Sequence, residues 1–304
     1  GREYTTIGTA LALSMPLDLV ELRLAVPDWE IMAFLAIAME DTENIDNSFP
    51  VADHQQRCFW GAEARYRGFA GHQPFVYWFA QDDHTDPDPL LPGQRFDYST
   101  RYLGGGSTGS LVLPGLRYTA EIVGEFGRTY SRGQTVGRDP VRAMAINAQL
   151  EYIFDDTATR PRVGYEYLYG SGDGDRSRSA TATLGGNRAG TDDTAFNGFG
   201  YRDTGLSFAP RIANLNIHVL SASFRPLESH WLFEHLELGV KGFAYHKADR
   251  GPLSDTSATR EAWWVGWEVD GFCNWRVTSD MTFTLRYGAF QPGETFASRT
   301  TRHF

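Results

Sequence analysis

The chain has 304 residues, with 38 acidic against 28 basic side chains for a formal charge of -10, 14% aromatic residues and 32 glycines. The acidic balance and the lack of any Lys/Arg-rich run exclude nucleic acid as a partner, because phosphate binding wants a basic face. The longest apolar run, Ile31 to Met39, falls short of the roughly 18 residues that a spanning helix needs, so a helical membrane protein is excluded too.

Reading strands by alternation and breaks by Gly, Pro and Asp clusters gives about thirteen segments in chain order. They run at 2–13, 18–26, 28–40, 56–69, 73–82, 95–103, 109–128, 140–154, 161–170, 212–226, 232–247, 260–277 and 281–290. Short turns at Pro27-Asp28, Gly71-His72, Asp155 to Arg160 and Thr278 to Asp280 alternate with long polar connections. The long ones are Asp41 to Asp53, Asp83 to Gly93, Tyr130 to Arg138, Ser171 to Pro210 and Ala248 to Thr259. Short turns on one rim and long loops on the other describe a bacterial outer-membrane barrel. The opening Gly1-Arg2-Glu3-Tyr4 runs straight into strand-like sequence and shows no signal peptide.

The cleanest alternation comes last. Trp263, Val265, Trp267, Val269, Cys273, Trp275 and Val277 share one parity, and Glu268, Asp270, Asn274 and Arg276 the other. Phe283, Leu285, Tyr287 and Ala289 then oppose Thr282, Thr284 and Arg286 across the turn Thr278-Ser279-Asp280, which makes a hairpin. Apolar, aromatic-rich faces backed by charged faces suit lipid outside and water inside. The predicted fold is therefore all-β, an antiparallel transmembrane β-barrel of the outer-membrane type. Residues 1–304 form one barrel domain, and 171–210 are a long extracellular or lumen-folded loop. Single-chain barrels have even strand counts, so 13–14 strands point to amino-terminal strands missing from this chain.

On the polar parity, taken as lumen-facing, stand Arg23, Arg65, Arg67, Arg95, Arg101, Arg117, Arg162, Lys241, Arg276 and Arg286. Glu21, Glu63, Asp97, Glu121, Glu125, Glu151, Glu166, Glu237, Glu268 and Asp270 share it. Guanidinium suits bidentate contact with carboxylate, so the candidate solute-binding set is Arg65, Arg67, Arg101, Arg117, Arg162, Lys241, Glu268, Asp270, Arg276 and Arg286. The plainer reading is that these charges neutralise one another across strands. Trp60, Tyr66, Phe75, Tyr77, Phe79, Tyr98, Tyr118, Phe126, Tyr152, Tyr165, Tyr167, Trp263, Trp267 and Trp275 fall on the apolar parity, where some form interfacial belts. Phe243, Tyr245 and Trp264 are the lumen-parity aromatics. Cys58 and Cys273 fall on apolar parity and are read as separate thiols. Ser229, His230 and His235 lack a placed acid and give no catalytic site. Asp173-Gly174-Asp175 lacks the remaining ligands of a calcium loop. Neither metal nor cofactor is expected.

Specific residues carry a resemblance. Val265-Gly266-Trp267-Glu268-Val269-Asp270, Asn274-Trp275-Arg276, Ser279-Asp280 and Arg286 through Phe296 resemble the closing strands of the alginate export family of outer-membrane porins. Gly170-Ser171-Gly172-Asp173, Phe196 to Tyr201 and Asn214-Leu215-Asn216 are similar to that family's long loop and the strand after it. The resemblance implies an eighteen-stranded barrel in the outer membrane of a Gram-negative-type bacterium, passively passing anionic polysaccharide, oligosaccharide or related small solutes. Its partners would be outer-membrane lipid, the barrel-assembly machinery and periplasmic secretion components. The lumen is less basic than an alginate-type polyanion calls for. The alternatives are a structural or adhesive barrel that displays surface loops, and a soluble carbohydrate-active β domain.

Overall fold

The computed structural model describes residues 1–38, 57–84, 97–133, 136–155, 157–183 and 185–304. The predicted loop Asp41 to Asp53 and Arg95 lie outside the described residues, as does most of the connection from Asp83 to Gly93. Fifteen strands form: β1 (Arg2–Ile7), β2 (Leu13–Val26), β3 (Trp29–Ala38), β4 (Arg57–Tyr66), β5 (His72–Asp83), β6 (Tyr98–Ser110), β7 (Leu116–Thr129) and β8 (Asp139–Ile153). They continue as β9 (Arg162–Gly170), β10 (Phe199–Gly200), β11 (Leu215–Phe224), β12 (Leu236–Lys247), β13 (Trp264–Arg276), β14 (Thr282–Pro292) and β15 (Arg302–His303). Sequential neighbours pair antiparallel from β1 to β9 and from β11 to β15, β9 pairs β11, and β10 lies parallel to β2. The path ends at β1 and β15, and no pairing joins them among the described residues. The fifteen strands among the described residues, two of them only two residues long, compare with the 13–14 read from alternation.

Two segments read as continuous are broken in the structure. The segment 2–13 breaks at Gly8, where a turn starts a second strand, and 109–128 breaks at Leu111 to Gly115. Both turns are apolar, so neither gave the polar signal that marks a turn. Leu11 and Ala12 are buried in the interior, whereas Val112 stands fully exposed at the sheet's margin.

The outward face is exposed and apolar. Val20, Leu22 and Leu24 on β2, Ile31, Leu35 and Ile37 on β3, Val76 and Trp78 on β5, Ile122 and Phe126 on β7, and Val269 and Leu285 on β13 and β14 are all exposed. A water-facing sheet would carry polar side chains there; a continuous apolar band is what hydrocarbon solvates. At the rim of short turns the band ends in aromatics. Trp29 packs on Tyr66 at 4.9 Å between ring centroids, Tyr66 on Phe69 at 4.8 Å, Tyr152 on Phe154 at 4.6 Å and Phe233 on Trp275 at 5.1 Å. Amphipathic rings gather at such an interface.

Not every apolar side chain faces out. Phe75, Tyr77, Phe79 and Tyr98 point inward and are buried, which corrects their assignment to the lipid parity. They pack with Tyr102, which lies 4.4 Å from Phe79 in a stacked pair. Trp264 is corrected in the opposite sense. A bulge between Tyr245 and His246 shifts the β12–β13 register, and Trp264 packs on the outward His246 at 4.7 Å. Cys58 and Cys273 are free thiols on the outward parity.

Candidate functional site

The interior of the sheet has two halves. At the rim of long loops, the chain from 196 to 208 touches strands from both ends of the sheet, which therefore curls around it. Phe199 packs on Phe59 of β4 at 4.9 Å, and Phe208 stacks on Phe290 of β14 at 4.4 Å. Buried inward carboxylates fix this lumen segment. Glu268 on β13 accepts the backbone N–H groups of Leu206 at 2.7 Å, Ser207 at 2.6 Å and Phe208 at 2.9 Å. Asp270 accepts the Leu206 N–H at 3.0 Å. On the opposite wall Glu125 of β7 accepts the Asn197 N–H at 2.8 Å and the Tyr98 hydroxyl at 2.5 Å. Lys241 holds Asp203 at 2.5 Å, and Arg202 bridges Glu166 and the Thr9 carbonyl.

The tip between β1 and β2 enters the same half. Gly8 donates its N–H to Glu63 at 2.7 Å, Thr9 donates to Glu121 at 2.7 Å, and the Tyr77 hydroxyl reaches Glu121 at 2.5 Å. Gly8 has φ of 60°, and a Cβ there would lie 2.6 Å from the Glu121 carboxylate, so the close approach needs glycine. Gly205 repeats the device at φ 117°, with Tyr245 2.6 Å from the Cβ position. Backbone N–H groups that would otherwise be buried unpaired are thus capped by carboxylates.

Above this lies a buried ion pair between Arg176 and Asp193. Burial raises the Asp193 carboxyl above its usual range against the pull of Arg176. Asp173 spends its oxygens on the N–H groups of Asp175 at 2.9 Å and Thr194 at 3.3 Å. No group of three metal-ligating side chains assembles among the described residues. Ser229, His230 and His235 sit in the turn between β11 and β12, where His230 packs on Phe233 at 5.3 Å.

The turn-rim half is different. Arg65, Arg67, Arg117, Arg162, Arg276 and Arg286 all stand there on the inward parity. Arg65 pairs with Glu63 at 2.8 Å, Arg67 with Glu30, and Arg23 with Glu21. Arg117, Arg162, Arg276 and Arg286 have no carboxylate partner among the described residues. Of the ten candidates, then, six share this half. Lys241, Glu268 and Asp270 belong to the loop-rim half, where Glu268, at 0% exposure, anchors the lumen segment and cannot meet solute. Arg101 is a correction. It shares the parity of the exposed Leu103, pairs with Asp82 at 2.8 Å and lies over the Trp60 ring at 5.2 Å, all outside the lumen. Strand 95–103 was read too short to fix its parity; the full strand puts Tyr98, Thr100 and Tyr102 inside.

An exposed apolar band, an aromatic margin at the turn rim and a charged interior define an outer-membrane β-barrel channel. The alginate export family model matches residues 17–304, and the chain belongs to that family. Among solved structures, Pseudomonas aeruginosa OccK11 (OpdR) is similar at 14% identity and a TM-score of 0.50, over 96% of this chain and 68% of that one, a likeness of fold. OccK10 (OpdN) from the same organism matches at 11% identity, 95% and 90% coverage and a TM-score of 0.40. OpdK, solved with vanillate, matches at 10% identity, 99% and 92% coverage and a TM-score of 0.40. No curated protein matches the sequence.

Proposed function

We propose that this channel passes anionic polysaccharide, oligosaccharide or related small solutes passively, without cofactor or chemistry. The observation that carries the reading is the division of inward cations. Arg23, Arg65, Arg67, Arg202 and Lys241 are neutralised by carboxylates. Arg117, Arg162, Arg276 and Arg286 are not, and line the half that the lumen segment leaves uncovered. Unpaired guanidinium groups in a water-filled lumen orient carboxylates and raise local anion concentration. The family membership supports the same solute class. Delivery by the barrel-assembly machinery and coupling to periplasmic secretion components belong to this reading, as does a wall of eighteen strands.

The test is single-channel conductance of the protein in a planar bilayer, with reversal potential under a salt gradient and titration with oligouronate. Open, anion-preferring channels blocked by oligouronate are expected. The rival reading, a structural or adhesive barrel, draws on the lumen segment that fills the loop-rim half. It predicts negligible conductance.

A further inference from the structure

Three strands at the turn rim carry a grid of polar side chains. In the β6–β7 register Ser110 stands opposite Arg117 and Thr108 opposite Thr119; in the β7–β8 register Arg117 stands opposite Glu151 and Thr119 opposite Gln149. All six lie on the inward parity in two rows of three. Strands about 4.8 Å apart, with same-face residues about 6.7 Å apart along each, make the grid about 10 by 7 Å. It lines a recess of 290 Å³, close to the lower end of small-molecule sites. None of the six side chains is engaged in a hydrogen bond or ion pair among the described residues, although Arg117 and Glu151 are direct cross-strand neighbours. Elsewhere on the inward face such neighbours have closed on one another, as Arg57 of β4 and Asp83 of β5 have at 3.2 Å.

We propose that this wall is a binding subsite for a uronic-acid unit of a glycan chain. Arg117 takes the sugar carboxylate through its planar fork. Glu151 and Gln149 accept sugar hydroxyls, and Thr108, Ser110 and Thr119 complete the hydrogen bonds. The mixture selects among anions. One guanidinium beside one carboxylate suits a ring that carries a single charge and several hydroxyls, whereas a phosphate or sulfate polymer would bring further charge against Glu151. A neutral sugar would leave Arg117 unpaired. The grid adjoins the turns 111–115 and 154–161, so in an outer-membrane barrel it is a subsite met from the periplasmic mouth. The proposal rests on the anionic-glycan channel proposed above, takes the uronate class from the alginate export family, and adds the residues that hold one ring and the place where the chain is first held.

Single channels of the protein at low salt, with tetrauronate added at the turn-rim mouth, test it through the dwell time of each block. Arg117→Gln shortens the dwell about tenfold or more, the equivalent of one lost charge-assisted contact, and Arg117→Lys shortens it less. The double variant Thr119→Val/Gln149→Ala removes no charge; it shortens the dwell while leaving unit conductance and reversal potential unchanged, which also shows that the variant is folded. Equal dwell times in wild type and all three variants, with block lost instead in Arg276→Gln/Arg286→Gln, overturn the subsite and leave the channel reading standing. Equal block of wild type by a neutral tetrasaccharide overturns the uronate assignment. A wild-type protein that does not conduct, or conducts without uronate block, removes both.

Discussion

The loop-rim and turn-rim halves of the lumen are built from the same strands but treat charge in opposite ways. In the first, Glu63, Glu121, Glu125 and Glu268 are covered by backbone that donates to them. In the second, Arg117, Arg162, Arg276 and Arg286 have no carboxylate partner among the described residues. Burying an unpaired carboxylate is costly, so each acid in the covered half must find donors. Wet charges carry no such constraint and remain free to meet solute. A charged residue on the inner face is thus an anchor or a contact according to whether chain lies over it.

The largest effect that would break this contrast comes from the aromatic seat of the lumen segment. Phe208→Ala removes a buried ring stacked on Phe290 and packed against Tyr245 at 5.0 Å and Phe296 at 5.8 Å. A loss of about 3 kcal/mol is expected, read as thermal unfolding in detergent. Next is Glu268→Ala, which strips the acceptor from three N–H groups and costs about 2 kcal/mol. The segment should then leave the lumen, and single-channel conductance should rise; an unchanged conductance would show that something else holds it.

The turn-rim half is sharpened by charge removal. Arg276→Gln/Arg286→Gln should move the reversal potential toward cation preference at 0.1 M salt, where screening extends about 10 Å, and do so far less at 1 M, where it extends about 3 Å. Arg23→Gln, which removes a paired guanidinium, should shift it less than either single change among the unpaired set. The smallest effect concerns Asp255 in the connection before β13. Burial pushes its carboxyl up, but hydrogen bonds from Ser257 and the Arg302 guanidinium outweigh that and hold it below the usual range. The folded state therefore binds its proton less readily than the loosened one. The tie to β15 is at full strength above the ordinary carboxylate pKa of about 3.9. It is lost as pH falls through the depressed folded value. The protection of the Gly288 and Phe304 amides, which bond each other across β14 and the chain end, should fall on acidification in wild type once exchange is normalised to the intrinsic rate at each pH, and Asp255→Asn should remove that loss.

Period-two alternation, together with local turn chemistry, was enough for the β13–β14 hairpin, read at 260–277 and 281–290 and found at Trp264–Arg276 and Thr282–Pro292. It was enough for the two faces of β2, where Glu21 and Arg23 fall on the lumen parity, and the residues from 265 to 296 carried the family resemblance. Alternation separates two faces only where their solvents differ. Under the lumen segment the interior is as dry as the lipid side, so Phe75, Tyr77 and Phe79 gave an apolar parity that points inward. The pairing of Arg67 with Glu30 but not of Arg117 with Glu151, and the burial of Glu268 but not of Arg286, depend on which strands adjoin and which chain crosses above them. Strand register and the path of residues 196–208 decide those contacts, and both are long-range facts that no local pattern encodes.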